Sequence, residues 1–121
     1  MKDDGMIQAK SKSFAIRIVR MYQFLTDKKK EFVLSKQVLR SGTSIGANIA
    51  EAKYAVSKKE FILKLQIALK ECSETTFWLE LLKDTGYLTE HEFSAIHPEC
   101  EEILRLLTSS ITTLKSQPPT P

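Results

Sequence analysis

Residues 57–92 read SKKEFILKLQIALKECSETTFWLELLKDTGYLTEHE, and this stretch decides the fold. Ser57 and Glu60 form a capping box, in which the serine oxygen accepts the amide three residues on and the glutamate returns to the serine's own amide. Phe61, Leu65, Ala68, Cys72, Thr75, Leu79 and Leu82 then recur at steps of three and four, which keeps them on one helical face. Gly86 is placed to end that helix in a left-handed cap. Thr89 and Glu92 repeat the box, with Leu88 before it as a hydrophobic staple. A helix over 57–85, roughly 42 Å long, is thus predicted to turn tightly into a second helix that opens at 89.

Working outward, Phe93, Ile96, Cys100, Ile103, Leu107, Ile111 and Leu114 carry the same beat to about Lys115. Pro98 lies inside this segment and predicts a kink or irregular turn near Ile96 to Pro98, because proline removes a backbone donor and crowds the preceding turn. Residues 116–121 read as a mobile Pro-rich tail. Upstream, Ile7, Phe14, Ile18, Met21 and Leu25 define a helix over 7–25, followed by Thr26 to Glu31 as a solvated connection. Val38, Gly42, Ile45, Ile49 and Ala52 define another over 34–54. There Gly42, Gly46 and Ala50 form a side-chain-poor ridge for a close neighbour, although each glycine forfeits about 1 kcal/mol of helix propensity. Four helices with short connections predict an all-α, antiparallel up-down-up-down four-helix bundle, a single domain over 1–121.

The composition agrees. With 121 residues, 42% hydrophobic, 27% charged and only 4 Gly and 4 Pro, the chain is too apolar for disorder and too turn-poor for a strand-rich fold. Charge is unevenly spread: residues 1–70 hold 15 Lys and Arg against 6 Asp and Glu, and residues 71–121 hold 3 against 9. A basic front and acidic back suit a polyanion-facing surface, or two surfaces that attract one another between copies. The acidic opening Met1-Lys2-Asp3-Asp4-Gly5 lacks the pattern of a secretory signal, and no apolar run approaches a membrane span. A cytoplasmic protein with reduced, buried Cys72 and Cys100 is expected.

No catalytic, metal or cofactor chemistry emerges. The only histidines, His91 and His97, have Leu88 and Ser94 three positions before them, so no Glu-x-x-His pair exists for a di-metal site. His97 and Cys100 share a helix face but supply just two ligands. Ser41 to Gly46 has glycines and hydroxyls without the Lys-Ser/Thr of a phosphate loop. One polar stripe stands out: Arg40, Ser44, Asn48 and Glu51 share a face of the second helix, with Glu71 and Glu74 on the third as candidate partners. A hydrated outer stripe is the simpler alternative. Lys10, Arg17, Arg20, Lys28, Lys29, Lys30 and Lys36 form a basic surface with few interleaved aromatics, suited to phosphate contact rather than base stacking.

The run Gln37-Val38-Leu39-Arg40-Ser41-Gly42-Thr43-Ser44-Ile45-Gly46-Ala47-Asn48-Ile49-Ala50-Glu51-Ala52 closely resembles the signature of the 23S rRNA intervening-sequence proteins. Ser57-Lys58-Lys59-Glu60-Phe61, Leu69 to Thr75 and Phe77-Trp78-Leu79 follow in the family's order, and the likeness covers about residues 10–115. The resemblance implies a four-helix bundle that assembles as a homopentameric ring without known catalytic activity. A similar bundle serves diversity-generating retroelements as an accessory protein that contacts nucleic acid. RNA or DNA is thus the expected partner, with a protein-binding scaffold as the alternative. Self-association is expected independently from the broad apolar surface of the first helix, the glycine ridge and the charge split. Ile16 and Val19 are its candidate interface residues.

Overall fold

The computed structural model describes residues 4–117. Four helices run in order: α1 (Asp4–Asp27), α2 (Leu34–Ala52), α3 (Lys58–Asp84) and α4 (Glu90–Ser116). α1 packs on α2 and α4, α3 packs on α2 and α4, and the backbones of the two diagonal pairs do not approach closely among the described residues. This is the predicted antiparallel four-helix bundle. The α1–α4 contact is the narrowest, so the seam that closes the bundle is also its thinnest.

The predicted stripes form the core. Ile7, Phe14, Ile18, Leu25, Val38, Ile45, Leu65, Ala68, Cys72, Leu79, Leu82, Cys100, Ile103 and Leu107 are essentially inaccessible, and Met21, Phe61, Phe93 and Leu114 pack at the edges. The glycine ridge serves this core at one end only, since Gly42 is buried, Gly46 half-buried and Ala50 exposed. A Cβ on Gly42 would lie 2.8 Å from Ile18 Cγ1, and one on Gly46 would lie 3.4 Å from the Ser11 carbonyl. Gly42 therefore lets α1 approach α2 within the same chain, whereas a Cβ at Gly46 would make only an ordinary van der Waals contact. Between α2 and α3 the buried hydroxyls of Ser41 and Thr75 lie 2.9 Å apart.

The caps behave largely as expected, with two corrections. Thr89 and Glu92 make both bonds of their box, and Gly86 takes φ 85° while the amides of Gly86 and Tyr87 return to the carbonyls of Lys83 and Leu82. At α3, Ser57 accepts the Glu60 amide, but the Glu60 carboxylate accepts from Val56, 3.3 Å away, rather than from Ser57. Glu31 is the second correction. It is no part of a solvated connection: it is 8% exposed and accepts the amides of Val33, Leu34 and Ser35 at 3.1, 3.0 and 2.7 Å. It supplies the cap that Val33, at the cap position of α2, has no side chain to make. Burial acts to raise its pKa, yet these amide bonds outweigh it and hold the carboxyl below its ordinary value.

Boundaries shift by up to three residues, outward at both ends of α1 and inward at the end of α2. α1 starts at Asp4 and reaches Asp27, α2 stops at Ala52 instead of Tyr54, and Ser116 belongs to α4 rather than to a tail. Pro118 to Pro121 lie outside the described residues. α4 continues through Pro98 without the irregular turn that proline suggested. Ser94, whose carbonyl loses its helical partner there, and Pro98 are both exposed, so water can satisfy that oxygen.

Candidate nucleic-acid interface

The seven cations of the expected basic surface fall into two groups. Lys10 and Arg17 are engaged across the α1–α4 seam: Lys10 Nζ lies 3.0 Å from Glu102 Oε1, and Arg17 pairs with Glu99. The charge split along the chain is thus expressed as ion pairs within one subunit. In the second group Lys28, Lys29 and Lys30 form the α1–α2 turn and Lys36 lies at the start of α2, whereas Arg20 sits further back on α1, in a groove with Arg17 against the start of α4. Arg20, Lys30 and Lys36 have no acidic partner among the described residues. Lys28 meets only its neighbour Asp27, at 3.7 Å, and Lys29 lies over the Phe24 ring, 5.9 Å from its centroid. Lys30 takes a left-handed φ of 54°, and the next amide, of Glu31, returns to the Leu25 carbonyl. The turn is therefore held in place, and its lysines project from a fixed backbone.

The polar stripe of α2 is not one network. Arg40 reaches α3, 3.1 Å from Glu71 and in contact with Glu74, which also accepts Trp78 Nε1 at 2.9 Å. Ser44 and Asn48 instead bond carbonyls of their own helix, those of Arg40 and Ser44. Glu51 pairs with Lys64 at 2.9 Å, and this carboxylate raises the Lys64 pKa. Two separate bridges between α2 and α3 result, with Trp78 an unforeseen member of one.

Residues 3–109 match the family described as 23S rRNA-intervening sequence protein. The chain belongs to this family. The crystal structure of a protein of unknown function from the S23 ribosomal protein family of Bacteroides thetaiotaomicron superposes with a TM-score of 0.90. It is 54% identical over 91% of this chain and 98% of that one. No curated protein matches the chain.

The chain also exposes apolar residues. Ile16 and Val19 on α1 are 50% and 38% exposed and line a shallow groove of about 430 Å³ with Lys12, Ala15, Arg20 and Gln23. At the opposite end of the bundle from the Lys28–Lys30 turn, a cavity of about 650 Å³ opens beside the α2–α3 turn. Sequence reading missed this end, because the apolar rhythm of α2 absorbed Lys53 and Tyr54 into the helix. The available signal was Tyr54 flanked by Lys53, Lys58 and Lys59.

The two cysteines and His97 serve packing. Cys72 and Cys100 are free, buried and face each other across α3 and α4 with sulfurs 3.4 Å apart. Their mutual hydrogen bond and burial push the Cys100 thiol well above its ordinary pKa. His97 stacks on Phe93 and lies between Glu80 and Glu101, at 3.7 and 3.3 Å. Among the described residues no group of three or more His, Cys, Asp or Glu is arranged to hold a metal, and no helix is long and apolar enough to cross a membrane.

Proposed function

We propose that the protein is a non-catalytic, oligomeric bundle of the cytoplasm that associates with nucleic acid through Arg20, Lys28, Lys29, Lys30 and Lys36. The observation that carries this reading is the cation cluster at the α1–α2 turn, which lacks strong internal neutralisation, whereas Lys10 and Arg17 are already paired. Lysines of this kind contact phosphates without reading bases, so binding is weakly sequence-specific and falls steeply with salt. The family's association with rRNA insertions and the resemblance to retroelement accessory proteins support the choice of polyanion. Titration of RNA and DNA across a salt series tests it. Replacing Lys28, Lys29 and Lys30 together by Gln should flatten the salt dependence; no binding by the native protein at low salt would overturn the reading.

Self-association belongs to the same proposal and rests on Ile16 and Val19. Gly42 meets Ile18, and Lys10 and Arg17 meet acids, inside the subunit, so the exposed Ile16 and Val19 carry the case for a contact between copies. Each contributes roughly 1.5 to 3 kcal/mol if fully withdrawn from water. Five subunits is the number the family resemblance suggests. Val19→Glu should release monomers in sedimentation, and a native protein that is monomeric at micromolar concentration sinks the ring. The same strip favours a second reading, a scaffold for another protein, for which partners co-purified from the native cell would survive nuclease digestion.

A further inference from the structure

The cavity beside the α2–α3 turn combines an apolar floor, an aromatic wall and a cationic rim. Ile7, Ile49 and Leu65 close its base and are at most 4% exposed, while Tyr54, 83% exposed, lines its wall. Lys53 and Lys58 stand at the same cavity, and Lys58 also borders the neighbouring groove that holds Lys59, Leu63 and Lys115. None of these four lysines has an acidic partner among the described residues. Glu51 and Glu60, the nearby acids along the chain, are occupied by Lys64 and by the Val56 amide. Among the described residues, lysines without an acidic partner thus border a concave apolar space of about 650 Å³, within the range of small-molecule pockets.

We propose that this end of the bundle holds one unpaired nucleotide of a single strand, its base in the cavity against Tyr54 and the adjoining phosphates on Lys53 and Lys58. A base is flat and apolar on its faces and gains from stacking on an exposed aromatic ring, whereas the ammonium groups meet the backbone as point charges. The groove along Lys59 and Lys115 extends the charged track beyond the cavity. A duplex keeps its bases stacked inside and gains nothing from such a cavity. This inference rests on the nucleic-acid reading but uses the opposite end of the bundle, and it adds a preference for unpaired bases that a lysine cluster alone does not supply.

The test compares an eight-nucleotide oligouridine with a fully abasic strand of the same length, which keeps every phosphate and carries no base, by fluorescence anisotropy at one salt concentration. The native protein should bind the intact strand about fivefold or more tightly. Tyr54→Ala should bring that ratio to about one and Tyr54→Phe should keep it, while Lys53→Gln with Lys58→Gln weakens both strands. Replacing Lys28, Lys29 and Lys30 by Gln should lower both affinities in parallel and leave the ratio intact. A native ratio near one, or a ratio unmoved by Tyr54→Ala, overturns the nucleotide site even if salt-dependent binding persists. Absence of binding to any strand overturns this inference and the broader reading together. Tyr54-dependent binding to phosphatidylserine vesicles without discrimination between the strands would assign the surface to a membrane instead, and also overturn it.

Discussion

Arg17 on α1 pairs with Glu99 on α4 across the seam where the bundle is thinnest, two turns along α1 and one along α4 from a matching contact between Lys10 and Glu102. Basic front and acidic back of the chain thereby neutralise each other locally. Both pairs are partly exposed, so together they add little to stability, less than about 1 kcal/mol each. Their larger effect is to withdraw two cations from any polyanion. Glu99→Gln with Glu102→Gln should leave the melting temperature nearly unchanged while tightening RNA binding at low salt. The slope of log K against log salt should steepen by up to about 0.7 for each single-strand phosphate newly contacted. An unchanged slope would show that this face of α1 does not meet nucleic acid.

Gly42 is required by Ile18 rather than by the backbone. An added Cβ falls within 3.1 Å of three Ile18 carbons, and the overlap outweighs the roughly 1 kcal/mol of helix propensity that alanine returns. Gly42→Ala should destabilise the protein by about 1 to 3 kcal/mol in chemical denaturation. In the Ile18→Ala background the same substitution should cost nothing or stabilise. Equal effects in both backgrounds would refute the close contact.

Glu31 makes stability depend on acid. Its folded pKa lies below the usual value, so its contribution is fully present above the unfolded-state pKa, about 4.3, and is lost as pH falls through the folded value. Glu31→Gln should cost about 1 kcal/mol at pH 7, as loss of a cap does. The difference from the native protein should shrink progressively below about pH 4. A pH-independent difference would mean that the carboxylate charge is irrelevant to the cap.

Arg40 is half exposed, although Glu71 beneath it is only 15% accessible at its side chain. Losses of 3 kcal/mol or more belong to fully buried pairs. Arg40→Ala should therefore cost about 1 kcal/mol or less, and part of the loss should appear as altered Trp78 fluorescence, because Glu74 bridges Arg40 and the indole. Trp78 emission unchanged in wavelength and intensity would argue against that bridge.

The buried thiols should be chemically silent. With both sulfurs in the core and the Cys100 thiol pushed up, iodoacetamide at pH 8 should modify neither Cys72 nor Cys100 until denaturant is added, when both react. Rapid labelling of the native protein, read by intact mass, would show that α3 and α4 separate readily.

The helices and their buried faces are legible in the sequence because their causes are local. Thr89 with Glu92, Gly86 at its positive φ, and the three- and four-residue beat from Leu65 to Leu82 each act within a turn or two of chain. The resemblance centred on the Arg40 to Glu51 run placed the chain in its family. Local rules failed where neighbours come from elsewhere: Glu31 looked solvated until the fold buried it at the start of α2, and Lys10 and Arg17 looked like a free basic surface. Their partners, Glu102 and Glu99, are 92 and 82 residues away. Ser44 and Asn48 shared a face with Arg40, yet their side chains were nearer to their own helix carbonyls than to α3. Sequence alone determined which apolar residues lie inside, since their burial follows apolar periodicity. Only the tertiary structure decided which charges remain available, since an ion pair depends on which helices become adjacent and at what height along the bundle.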